Sequence, residues 1–224
     1  MEMTYEMYLI KDHSATKNNV YLIVDKESRQ TAIIDPACSM NQINELVLRL
    51  ELFPKIVLLT HTHFDHIRRV NDLINEYNCD VYASRKEVEY YFYICENLHK
   101  FEDDEIINIG ETAVKCLLTP GHTKGSACFL FENEIFTGDT LFIEGCGLCT
   151  GNGGSAVSMF HSIAKIKKLI SDSVLVYPGH TYKEQPGKPV SYVKNNNIYY
   201  IQEDEKKFIE FRMRENQKNL FSFI

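Results

Sequence analysis

No run of about 18 consecutive apolar residues occurs anywhere in the chain, so the sequence offers no membrane-spanning helix. The first twelve positions carry acids where a secretory signal carries bases and then an apolar stretch, so the expected location is the cytoplasm. Positive charge is also short. There are 24 Lys and Arg against 31 Asp and Glu, and the net charge of -7 disfavours a nucleic-acid binder working through bulk charge. Lys165, Lys167 and Lys168 form one local basic cluster, which reads first as the solvated face of a helix. Cys38, Cys79, Cys95, Cys116, Cys128, Cys146 and Cys149 are odd in number and lack the spacing of a disulfide framework, so they are expected to be free thiols in a reducing compartment. Cys146 and Cys149 make a C-x-x-C, but no second pair completes a zinc site. That pair also lies in a glycine-rich loop, not at the start of a helix where a redox motif belongs. No internal repeat and no Pro/Ser-rich linker divides the chain, so residues 1–224 read as one domain. A hydrophobic content of 44% suits a sizeable core.

Periodicity then supplies elements. Tyr5–Ile10, Asn19–Val24 and Thr31–Asp35 are strand-like runs between polar turns. Ile43, Leu46, Val47 and Leu50 recur at helical spacing over Asn41–Leu52, and Pro54 is expected to end that helix. Lys55–Thr60 reads as a buried strand, and Ile67–Tyr77 as a helix. Further on, Thr112–Thr119 is strand-like, and Ala127–Glu132 with Ile135–Thr137 makes a hairpin turning at Asn133 and Glu134. Ser155–Ile170 reads as a helix and Ser173–Tyr177 as a strand. Glu203–Glu215 reads as a charged helix with Phe208 and Phe211 turned inward. Two groups of strands alternating with helices predict an α+β fold of two packed sheets covered by helices.

The chemistry lies at the strand ends. Four strands finish in residues that bind metals: Leu58-Leu59-Thr60 runs into His61-Thr62-His63-Phe64-Asp65-His66, and the others lead to Gly121-His122, Gly138-Asp139 and Gly179-His180. A sheet holds its strand ends rigidly, so loops leaving several strands can converge on one point. Three histidines and an aspartate within six residues are crowded for a chain with only 8 histidines. His13, His99 and His161 stand apart and read as surface or structural. Zinc accepts imidazole nitrogen and carboxylate oxygen, usually four at a time, and a catalytic site keeps one position for water. One ion can take His61, His63 and His122, and a second Asp65, His66 and His180. The two oxygens of Asp139 can bridge the ions, with a hydroxide between them completing both shells. Asp65 and Asp139 are accordingly the candidate catalytic carboxylates. Asp35, which ends the strand Ala32-Ile33-Ile34, is placed to orient this loop or a ligand imidazole.

These motifs, in this order, resemble the metallo-β-lactamase superfamily over almost the whole chain. The resemblance implies a four-layer αββα sandwich, two Zn2+ ions at the edge between its halves, and the same division of ligands. Aspartate at position 139 fits its hydrolases of glyoxalase II type, and Thr137-Gly138-Asp139-Thr140-Leu141-Phe142 with Gly145-Cys146-Gly147 resembles glyoxalase II itself. Two features depart from that enzyme. Leu148 stands where glyoxalase II has a basic residue holding the glutathione carboxylate, and the sequence after His180 reads as one helix where that enzyme carries a longer helical region.

A closer likeness runs through residues 11–26, 32–40, 138–163, 176–182 and 208–214. These segments resemble zinc-dependent hydrolases of bacterial trans-acyltransferase polyketide clusters, notably those of Bacillus. That likeness implies hydrolysis of thioesters, with an acyl carrier protein or a small acyl thioester as partner. Lys165, Lys167 and Lys168, or Lys183 and Lys188, are the candidate docking lysines for an acidic carrier. The residues agree with a thioester for a separate reason. A thiolate leaves without a strong general acid, and no unliganded acid stands out among the motifs. The rival activities are hydroxyacylglutathione hydrolysis and, from another class, persulfide dioxygenation by a single iron. The glycines at 145–154 are expected to form a mobile loop beside the metals, and Tyr182 is a candidate for contact with substrate.

Overall fold

Strand β2 (Asn19–Asp25) shows how the layers arise, because every one of its residues is buried. Its side chains alternate between faces, and both faces are covered. Val20, Leu22 and Val24 pack under helices, whereas Tyr21 and Ile23 point to a second sheet. A computed structural model describes residues 3–12 and 16–215, so His13 lies outside the described residues.

The first sheet has 6 strands in the order β1 (Tyr5–Lys11), β2, β3 (Gln30–Ile34), β4 (Phe53–Leu58), β5 (Asp80–Ser84) and β6 (Leu98–Phe101). β1, β2 and β3 form an antiparallel meander, and β3 to β6 run parallel. The parallel strands need crossovers, supplied by α1 (Met40–Leu50), the pair α2 (Phe64–Ile67) and α3 (Val70–Tyr77), and α4 (Arg85–Tyr91). The second sheet also has 6 strands: β7 (Ile106–Ile109), β8 (Thr112–Leu118), β9 (Ala127–Leu130) and β10 (Glu134–Gly138), then β11 (Leu175–Pro178) and β12 (Lys188–Pro189). Outside it lie α5 (Ala156–Leu169), α6 (Val190–Asn196), α7 (Ile198–Ile201) and α8 (Glu205–Arg212). Three apolar clusters follow, one between the sheets and one under each helical layer. Each fully buried Val, Leu, Ile or Phe contributes about 1.5–3 kcal/mol. The architecture is the expected α+β sandwich of four layers, αββα. No helix among the described residues is long and apolar enough to cross a membrane.

Several boundaries differ from the sequence reading, each for a local reason. Helix α1 starts at the capping box of Ser39 and Gln42 and stops before Pro54, because Glu51 turns left-handed and donates its N–H to Val47. Pro54 instead sits inside β4, at an irregularity in its pairing with β3. The helix expected over Ile67–Tyr77 breaks before Val70, where the Arg69 N–H bonds the Pro36 carbonyl at 3.0 Å. The single helix expected after His180 is the shorter α8, and α6 and α7 precede it. Asn197 caps α7 by accepting from the N–H groups of Tyr199 and Tyr200, both at 3.0 Å. Phe208 is buried as expected, while Phe211 is half-buried against Tyr199.

Candidate metal centre

All seven candidate ligands meet at one edge of the sandwich, beyond the ends of β4, β8, β10 and β11. His61 and His63 follow β4, whereas Asp65 and His66 belong to the single turn of α2. His122 follows β8, Asp139 follows β10 at once, and His180 follows β11 after Gly179. Close approach requires glycine at two of these turns. A Cβ on Gly138, whose φ is 47°, would lie 2.4 Å from Thr60 Oγ1, and one on Gly179 would lie 2.7 Å from Asp139 Oδ1.

The outward-facing ring nitrogens settle the tautomers. His66 Nδ1 lies 2.9 Å from Asp35 Oδ2. His180 Nδ1 and His122 Nδ1 each lie 2.7 Å from a backbone carbonyl, of Thr16 and Leu148 respectively. A carbonyl only accepts, so these nitrogens carry the protons. Thr60 donates its hydroxyl to Asp35 Oδ2 at 2.6 Å and is left to accept from His61 Nδ1 at 3.0 Å. In neutral rings, the Nε2 lone pairs of His61, His66, His122 and His180 therefore all point inward.

There they meet other ring nitrogens. His63 Nδ1 lies 3.1 Å from His61 Nε2 and 2.9 Å from His122 Nε2, and His66 Nε2 lies 3.3 Å from His180 Nε2. Two nitrogens about 2.0–2.1 Å from one zinc at a tetrahedral angle lie roughly 3.3–3.4 Å apart. The spacing fits ring nitrogens that share a metal ion. His61, His63 and His122 form one group able to hold an ion, and Asp65, His66 and His180 another. Asp139 lies between them, Oδ2 3.5 Å from His122 Nε2 and Oδ1 3.4 Å from His180 Nε2. Its Oδ1 is buried and accepts no hydrogen bond from a described residue. Asp35, His61 and His66 also come close enough to count as a group, but Asp35 already accepts from Thr60 and His66 and so acts as their support.

Electrostatics favour ligation. Burial holds His61, His63 and His122 below the ordinary imidazole range, in the neutral form that binds metal. Burial also opposes charge on His66, but Asp35 and Asp139 outweigh it and push this ring up to about 9. The carboxylates that attract a proton there would attract a metal equally. For Asp139, burial is outweighed by His180 and His66, which hold its carboxyl well below the usual range.

Beside the cluster opens a pocket of about 460 Å³ whose wall includes Phe142, Cys146, Leu148, Gly151 and Tyr182. No Lys or Arg among the described residues lines it. Tyr182 stacks on His180 with ring centroids 5.9 Å apart. The glycine-rich loop, expected to be mobile, is tied down at several points. Asn197 donates to the Phe142 and Gly145 carbonyls, both at 2.9 Å, Arg212 to that of Cys146 at 3.2 Å, and Tyr91 to that of Asn152 at 2.5 Å. Cys146 and Cys149 are buried free thiols, and burial pushes Cys146 up to about 12. The candidate docking lysines are already engaged in part. Lys165 pairs with Asp103, Lys167 lies over the Tyr200 ring, and Lys188 lies over Tyr192.

A layered αββα sandwich carrying five histidines and two aspartates at its strand ends defines a class, and the chain belongs to the metallo-beta-lactamase superfamily, whose model matches residues 14–180. Within it the chain falls among the hydrolases. It is 43% identical, over 100% of both chains, to the probable polyketide biosynthesis zinc-dependent hydrolase PksB of Bacillus subtilis. It is 34% identical to the hydroxyacylglutathione hydrolase of Buchnera aphidicola, over 74% of this chain and 63% of that one. Among solved structures, ETHE1 from Myxococcus xanthus is 27% identical and superimposes with a TM-score of 0.85, covering 94% of this chain and 91% of that one.

Sequence reasoning missed four supports of the cluster, one of them Asn18, whose Nδ2 lies 3.2 Å from Asp65 Oδ2. Thr16 and Thr60 act through a carbonyl and a hydroxyl that no motif flags. Glu87 lies in a stretch to which the sequence reading assigns no element, and it is buried. No periodic signal could have singled it out.

Proposed function

We propose that the chain, acting as one hydrolase domain over residues 1–224, cleaves acyl thioesters carried on an acyl carrier protein in polyketide biosynthesis, using two zinc ions. His61, His63 and His122 would hold one ion and Asp65, His66 and His180 the other, with one Asp139 oxygen directed to each. Bound there, zinc would lower the pKa of a water and polarise the thioester carbonyl. Asn18 Nδ2, 3.2 Å from Asp65 Oδ2, fixes that carboxylate, and Asp35 fixes His66.

The observation that carries the substrate class is the pocket wall. Apart from the seven residues, its titratable side chains among the described residues are Cys146 and Tyr182, and burial raises both thiol and phenol, making them poor proton donors. A thiolate, with a pKa near 8.5, leaves without such help, whereas an amide nitrogen does not. Leu148 and the absence of Lys and Arg among the described lining residues leave the carboxylates of glutathione without a partner from those residues. The name of the Bacillus subtilis relative supports the polyketide setting.

Thiol release from an acyl-carrier thioester and from an acyl-glutathione, compared on the zinc-loaded protein, tests the proposal. At least a tenfold higher kcat/KM for the carrier ester is expected, about 1.4 kcal/mol of transition-state preference. Preference for the glutathione ester would move the chain to hydroxyacylglutathione hydrolysis, the reading favoured by the Buchnera relative. One bound iron with oxygen uptake on a persulfide would replace both with a dioxygenase.

A further inference from the structure

Glu87 is a carboxylate inside the fold, only 1% exposed, and its side-chain hydrogen bonds go to residues beside the proposed metal ligands, not to the ligands themselves. Ser84 caps α4 by accepting the Glu87 N–H at 3.1 Å. The Glu87 side chain then reaches two loops at once. Its Oε1 accepts from the Thr62 N–H at 2.9 Å and the Thr62 hydroxyl at 3.0 Å. Its Oε2 accepts from the Thr123 hydroxyl at 2.8 Å and the Gly125 N–H at 2.9 Å. Thr62 stands between His61 and His63, and Thr123 directly follows His122. One carboxylate therefore joins the loop leaving β4 in the first sheet to the loop leaving β8 in the second.

The junction is locked from several sides. Ser84 donates its hydroxyl to the Gly125 carbonyl at 2.6 Å, so Gly125 is held through both backbone groups. Gly125 approaches α4 so closely that a Cβ there would lie 2.1 Å from Glu87 N. All four donors need an acceptor, and two of them are backbone N–H groups that cannot turn round. A glutamine in place of Glu87 would set an NH2 against one of those two, so only a carboxylate satisfies both loops.

We propose that Glu87 is a positioning residue of the metal centre, fixing the distance between His61 and His63 on one loop and His122 on the other. The inference rests on the reading that these three histidines hold zinc. Their nitrogens come from different sheets, and neither loop alone sets their separation. With the carboxylate gone, the Ser84–Gly125 and Ala127–Thr60 bonds still join the two sides, but the turns that carry the histidines lose their shared acceptor and the three-histidine site weakens, while the site of Asp65, His66 and His180 keeps its own support from Asp35.

Zinc affinity measured by competition with a chromophoric chelator, with absorption spectra of the cobalt-loaded protein, tests this on the wild type, Glu87→Gln, Thr123→Val and His63→Ala. Glu87→Gln is expected to lose about 10–100-fold in affinity at one of two sites, with the other unchanged within about twofold, and to alter the cobalt spectrum. Thr123→Val removes one of the four contacts, and a smaller loss at the same site is expected. It carries the test if Glu87→Gln does not fold. A lower melting temperature with wild-type zinc affinity and an unchanged cobalt spectrum would make Glu87 purely structural and overturn the proposal. Wild-type zinc binding by His63→Ala would overturn the ligand assignment itself, a separate result.

Discussion

The buried imidazole of His66 faces the buried carboxylate of Asp35 at 2.9 Å, across the gap between the end of β3 and the turn of α2. Asp35 adopts a left-handed backbone, with a φ of 49°, which aspartate and asparagine tolerate better than most residues. Its other contacts, from the Thr60 N–H at 2.8 Å and hydroxyl at 2.6 Å, tie the same carboxylate to the loop carrying His61. Asp35→Asn preserves the backbone but faces the Thr60 and His66 donors with an NH2 on one side. A loss of zinc affinity of about 10–100-fold is expected, with activity at saturating zinc falling less. Chelator competition checks it, and wild-type affinity in this variant would remove Asp35 from any role in ligand orientation.

How much of this was legible in the sequence depends on whether a residue acts through its own identity or through its neighbours. The cluster was legible because histidine and aspartate crowd at strand ends, and the ends of strands are set by local composition. Asp35 was legible for the same reason, since it closes a run of β-branched residues. The strands β5, β6 and β7 and the helices α4, α6 and α7 went unassigned because they are short and their apolar positions too few to show a period. Glu87 could not be read at all. Its partners lie 25 and more positions away in sequence, and only the closing of two sheets brings them together.

Removal of a central ligand separates chemistry from folding. His63 is only partly buried, and its ring contacts are to other members of the cluster. His63→Ala is therefore expected to reduce thioester hydrolysis by at least about 10³-fold, more than 4 kcal/mol of transition-state stabilisation, with a modest change in melting temperature. Asp139→Ala should do the same, since it removes the carboxylate that lies between the two groups. Activity close to wild type in either variant would sink the ligand assignment.

Metal removal should act on stability as well as turnover. Ligands preorganised in the fold and dispersed in the unfolded chain make zinc a stabiliser, by about 2.7 kcal/mol when free metal stands at 100 times its dissociation constant. Dialysis against a chelator is expected to abolish activity and lower the melting temperature by several degrees, about 2–4 °C per kcal/mol for a chain of this size. Restoring two equivalents of zinc should recover both. Full recovery at one equivalent would reduce the centre to a single ion.

Glycine at position 179 leaves room for the cluster without taking part in it. A Cβ there would lie 2.7 Å from Asp139 Oδ1 and 2.9 Å from His66 Cε1, both closer than real side chains approach. The Gly179 N–H is meanwhile held at 2.8 Å by the Gly138 carbonyl, so the backbone cannot simply withdraw. Gly179→Ala is expected to displace Asp139 or His66 by several tenths of an ångström and to lower kcat about 100-fold, the scale of loss for misplaced reacting groups. Kinetics with zinc in excess, alongside a melting curve, would check it. Unchanged kcat would mean that the ligands move freely and that the close packing around Gly179 is unimportant.

Glu134 supplies a pH effect independent of the metals. It is buried at the first position of β10, where it accepts from the Tyr5 hydroxyl at 2.9 Å and the Tyr177 hydroxyl at 3.3 Å. Burial raises its carboxyl above the ordinary value of 4.5, and the two hydroxyls offset only part of that shift. Between that ordinary value and the raised one, the folded chain binds more protons than the unfolded chain, so stability falls as pH rises through the window. Glu134→Gln keeps an acceptor for the tyrosines and removes the buried charge. Its melting temperature is expected to match wild type at pH 4 and to exceed it at pH 8. Taking the difference between the two proteins cancels the titration of every other carboxyl. A difference that stays flat with pH, or one that grows towards acid, would show that the Glu134 charge costs the fold nothing.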